Sequence, residues 1–110
     1  MIVLNVYYIL LLESLTLISQ EKLEETLSKL RAHEGVKGIV VTNLEGLPIT
    51  SDLDPDTTEH VAALITSLVG KAIGVTKALN RGKLSFLTLD TTEGKVLVAP
   101  EDEYVLIVLK

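Results

Sequence analysis

The sequence predicts an α+β domain of element order αββαβββ: a five-stranded antiparallel sheet, helix 1 on one face, a long helix 2 on the other, and an apolar N-terminal extension in front. Three observations predict it. Three β-rich runs close the chain with only short turns between them: Leu84 to Asp90, Lys95 to Ala99 and Tyr104 to Leu109, strands 3, 4 and 5 of a meander. The long run from Asp54 to Leu79 repeats apolar residues at helical spacing. Two earlier runs, Val36 to Thr42 and Leu47 to Ser51, flank a turn and read as strands 1 and 2. Continuous apolar runs are buried on both faces and belong inside the sheet. Pro48, which lacks a backbone donor, and the hydroxyl residues Ser85 and Thr88 mark strands 2 and 3 as edges. Hairpins pair strand 1 with 2, 3 with 4 and 4 with 5, and the order 2-1-5-4-3 leaves 2 and 3 outermost.

Taken in order, Met1 to Ile18 is the extension and residues 19–110 are the domain. Ile2 to Leu12 is apolar apart from Asn5. It falls short of the roughly 20 residues a membrane span needs, and it lacks a positive n-region and a small-residue cleavage site. It reads as an extra element covering one face of the domain; a segment lying on a membrane or a partner, and a start placed too early, are the alternatives. Ser19 is the expected N-cap of helix 1, with Glu21, Glu24 and Glu25 in its first turns. Leu23, Leu27 and Leu30 recur along one side, Glu25 can pair with Lys29, and Gly35 ends the helix, which runs roughly from Gln20 to His33. Asn43-Leu44-Glu45-Gly46 is the turn between strands 1 and 2. Asp54 or Asp56 caps helix 2, Pro55 suits its first position, and Asn80-Arg81-Gly82 breaks it.

Helix 2 carries more apolar surface than one sheet face needs. Val61, Ile65, Leu68, Ala72, Val75 and Leu79 form a seam; Ala62, Val69 and Ile73 form a second stripe, and Leu64 widens the arc. Ala63, Ser67, Gly70 and Gly74 make a line of small residues, compatible with close approach of another backbone or with a plain solvated face. Strand 3 is an apolar edge without proline, which aggregates unless covered. Pairing with a second copy covers it, so a homodimer with a continuous sheet is expected. The expected interface is Leu64, Ser67, Leu68, Lys71 and Val75 on helix 2, and Leu84, Phe86 and Thr88 on strand 3.

Composition excludes several kinds of chemistry. The formal charge of −5 argues against sequence-independent nucleic-acid binding, and the cluster Lys71, Lys77, Arg81 and Lys83 is read as complementing a helix C-terminus. With no cysteine there is no disulfide, thiolate nucleophile or cysteine zinc site, and the chain suits the cytoplasm. Asp52-Leu53-Asp54-Pro55-Asp56 begins like a calcium loop, but Thr57 and Ala63 stand where the glycine and the closing acid belong, so the helix-cap reading holds. His33 and His60 have no second ligand at metal spacing. Gly70-Lys71 and Gly82-Lys83 lack the rest of a phosphate-binding loop. No catalytic residue, metal or cofactor is expected, and the chain is not read as an enzyme. Glu101, Asp102 and Glu103 make a negative tip, read either as a solvated turn or as a docking point for a basic partner surface.

From about Glu21 onward the chain resembles the roadblock / dynein light-chain family, and more nearly its prokaryotic members. The residues that carry the resemblance are Leu23-Glu24-Glu25-Thr26-Leu27, Gly35-Val36-Lys37-Gly38-Ile39-Val40-Val41, Asn43-Leu44-Glu45-Gly46-Leu47-Pro48-Ile49 and, above all, the stretch from Val98 through Ala99-Pro100-Glu101-Asp102-Glu103 to Val108. Many prokaryotic members carry a third helix after the last strand, whereas this sequence stops at Lys110; Leu79-Asn80-Arg81-Gly82-Lys83-Leu84 is nonetheless more like them. The resemblance implies the fold above and dimerisation through helix 2 and strand 3. It also implies a non-enzymatic platform that binds and regulates a Ras-like small GTPase. A structural light-chain subunit of a dynein-type motor, or a membrane-associated scaffold attached through Met1 to Ile18, is the alternative.

Overall fold

Five antiparallel strands in the order β2-β1-β5-β4-β3 form the sheet of the computed structural model, as the hairpin argument requires. The structure describes Glu21, residues 23–25 and residues 27–110. The apolar extension, the Ser19 cap and the domain boundary expected beside them lie outside the described residues. The chain divides into two compact units, Met1–Glu34 and Gly35–Lys110. In the first, helix α1 runs to residue 31; Leu23 and Leu27, one turn apart, are buried, and Lys29 pairs with Glu25 at 3.7 Å on the exposed side. Gly35, expected to end the helix, adopts φ +88°.

The second unit contains β1 (Gly38–Asn43), β2 (Pro48–Ser51), α2 (Pro55–Ala78), β3 (Leu87–Thr91), β4 (Gly94–Pro100) and β5 (Tyr104–Leu109). The last strand has the limits its apolar run predicts. Both faces of β1 and β5 are buried, as continuous apolar strands should be. Val40, Val98, Val105 and Ile107 point to one face and meet Ile65 and Val69 of α2. Ile39, Val41, Leu106 and Val108 on the other are buried too. Pro48 opens the edge strand β2, and the register slips between Val41 and Thr42, leaving Ile49 as the extra residue of a bulge.

Short polar devices tie β1 to β2 and β2 to the helix. Asn43 closes the β1–β2 turn, its side-chain oxygen accepting from the amides of Glu45 and Leu47, each at 2.9 Å. Buried Thr42 donates to the Leu47 carbonyl at 2.9 Å. At the other end Asp52 continues the ladder with its side chain, accepting the Ile39 amide at 2.9 Å. The Ser51 and Thr58 hydroxyls, 2.7 Å apart, join β2 to the first turn of α2.

Asp54 caps α2, accepting from the Thr57 amide at 3.0 Å, with Pro55 at the first position. That hydrogen bond holds the Asp54 carboxyl below its ordinary range. A depressed native pKa means the stabilisation is whole at neutral pH and fades as acid titrates the carboxylate through its unfolded and then its native value. The melting-temperature gap between the parent and Asp54→Ala should therefore be widest near neutrality and narrow on acidification below the usual aspartate range. A gap that widened in acid would contradict the cap. The far end closes as a Schellman turn: Asn80, at φ 53°, donates to the Lys77 carbonyl and Arg81 to that of Thr76 at 2.9 Å.

Strand 1 begins at Gly38 rather than Val36, and the start of strand 3 needs a larger correction. Strand 3 was expected from Leu84, but the ladder begins at Leu87, opposite Val98. Continued backward, that register would set Ser85 against Pro100, which has no amide to donate. Leu84 instead turns onto the core, so 84–86 form an arm leading into the edge strand. At the β3–β4 turn, Gly94 has φ +136°, and a Cβ there would lie 2.6 Å from the Lys110 carbonyl oxygen. Gly94→Ala should cost about 2–3 kcal/mol by combining backbone strain with that clash, a loss that urea denaturation would measure.

Candidate interaction surfaces

The sheet selects one side of α2. Its buried residues are Thr58, Ala62, Ile65 and Val69, and Ile73 continues the line. The second stripe of the sequence, joined by Ile65, is thus the core stripe. The seam through Val61, Leu68 and Ala72 is its half-buried flank, and the seam's end is out in solvent: Val75 is 57% and Leu79 64% exposed. By length and composition α2 could cross a membrane, but its apolar stripe packs on the sheet.

What remains is an open apolar flank. Leu64, Leu68, Lys71 and Val75 follow one another at spacings of three and four and share this side. Leu64 is 56% exposed, whereas Leu68 is half-buried against the core. Ser67 is exposed one step further round. Of the strand residues, Phe86 is 52% exposed on the arm, Thr88 is exposed on β3, and Leu84 is half-buried. Among the described residues β3 has no partner on its outer side, so its backbone donors and acceptors form an open edge. At Gly70 and Gly74 an added Cβ would meet nothing within 4 Å.

On the opposite flank of α2 lies a groove of about 800 Å³. Val69 and Ile73 of the helix, Val105 of β5, Leu44 of the β1–β2 turn and Leu84 of the arm make its apolar lining. Lys77 and Asn80 stand at the helix side of the mouth, Glu101 and Asp102 at the β4–β5 turn. That turn is closed by the Glu101 amide donating to the Tyr104 carbonyl at 2.8 Å. Lys83 reaches Asp102 at 3.3 Å, both side chains largely exposed. Burial raises the Tyr104 phenol above its ordinary pKa, and the carboxylates of Glu101 and Glu103 push it the same way. Sequence reasoning found the acidic turn but not the groove, whose lining comes from segments far apart in the chain.

Two of the residues considered for chemistry have structural roles. Asp54 caps a helix and Asp52 completes a ladder, while His33 and His60 are exposed. Among the described residues no three metal-binding side chains gather into one group.

Comparison with solved structures returns the same architecture. A Roadblock/LC7 domain from Streptomyces avermitilis is similar with TM-score 0.63 at 22% identity, over 67% of this chain and 64% of that one. Myxococcus xanthus MglB is similar with TM-score 0.62 at 17% identity, over 67% of this chain and 63% of that one. A gliding protein MglB from Thermus thermophilus is similar with TM-score 0.69 at 13% identity, over 81% of this chain and 70% of that one. This chain thus spans less than two thirds of the first two proteins, and at these identities the likeness is one of fold. Residues 22–110 match the Roadblock/LC7 domain family, and the chain belongs to that family.

Proposed function

We propose that this chain is a non-enzymatic, cytoplasmic, homodimeric platform that binds and regulates a Ras-like small GTPase. The observation that carries the reading is membership of the Roadblock/LC7 family, whose members are in general adaptors or regulators. Self-association is supported by the open edge of β3 beside a helix with an exposed apolar flank, Leu64 and Val75 foremost. Two copies joined along β3 would satisfy the free edge and bury Phe86, with Leu68, Ser67, Lys71, Leu84 and Thr88 around it. A similar fold, at 14% identity, is an MglB described in a tetrameric arrangement, which supports assembly as a property to test here. In this reading Glu101, Asp102 and Glu103 draw a basic patch of the partner.

The test is a pull-down with the purified chain against the host's small GTPases, each loaded with GDP or with a GTP analogue. One GTPase should be enriched, and in one nucleotide state more than the other. Reversing the turn to Glu101→Lys, Asp102→Lys and Glu103→Lys should weaken capture by roughly tenfold or more, since each reversal replaces attraction by repulsion. Absence of enrichment in both states would remove the GTPase from the proposal.

A further inference from the structure

We draw no further inference here: the strongest candidate, the groove between α2 and the β4–β5 turn, is lined by Lys77 and Lys83 as well as Glu101 and Asp102, so charge does not choose its occupant, nothing in the structure shows what covers it, and its acidic side belongs to the docking point already proposed.

Discussion

Replacing Ile107 with alanine should lower the unfolding free energy by about 3–5 kcal/mol, the range of large-to-small changes at sites that cannot collapse. Ile107 is fully buried in the central strand β5, opposite Val40 of β1 on one side and Val98 of β4 on the other. Both neighbours are β-branched, held by ladder hydrogen bonds, and fully buried themselves. Ile65 and Val69 of α2 close the site from above. None of these groups can move far into the space left by the missing carbons, so most of the cavity would persist. Small domains have only about 5–15 kcal/mol in all. The loss should appear in urea denaturation as a lower midpoint with an unchanged slope. Ile107→Val should cost about 1 kcal/mol. Leu89→Ala, on the edge strand and 36% exposed, should cost less than Ile107→Ala by a wide margin. Equal losses at Leu89 and Ile107 would mean that the sheet centre is not the stabilising core.

The contrast between those two positions explains what the sequence could disclose. Strand identity and order follow from local signals: Pro48 cannot sit inside a sheet, and Tyr104 to Leu109 cannot sit at its edge with every residue apolar. The cap at Asp54 and the break at Asn80 are likewise local, because each rests on hydrogen bonds spanning a few residues. Where α2 turns its core side is not local. Its apolar arc is wider than the face it buries, and at about 100° per residue the two stripes are separated by less than the arc's own width. Tertiary contact chose Ala62, Ile65 and Val69, leaving Leu64 and Val75 exposed. The start of β3 was hidden for a related reason: Leu84 and Phe86 have strand character, but the core claims Leu84 and leaves Phe86 outside. The groove was illegible altogether. Its one sequence signal is the acidic turn following Pro100, which indicates charge but not the apolar lining brought up behind it by Val69, Ile73 and Leu84.

Leu64→Glu combined with Val75→Glu should convert the proposed dimer to monomers without disturbing the fold. Both side chains are more than half exposed in the single chain, at 56% and 57%, so neither substitution buries a charge in its own core. Glutamate is a good helix former, and α2 should keep its helicity. In a two-fold contact each change is present twice. Two copies of α2 meeting along this flank would lose apolar burial at four positions and bring carboxylates toward one another across the axis. At about 1 kcal/mol or more per altered position, the combined loss is roughly 4 kcal/mol, about a thousandfold in dissociation constant. Light scattering at micromolar concentration should give a dimeric mass for the parent and a monomeric mass for the variant, with matching far-ultraviolet circular dichroism. Phe86→Glu on the arm should act in the same direction from the strand side, since Phe86 is half exposed and next to the free edge of β3. Glu101→Gln, at the far turn, should leave the mass unchanged. A monomeric parent would remove the homodimer; a dimer that survived all three glutamates would move the interface away from α2 and β3.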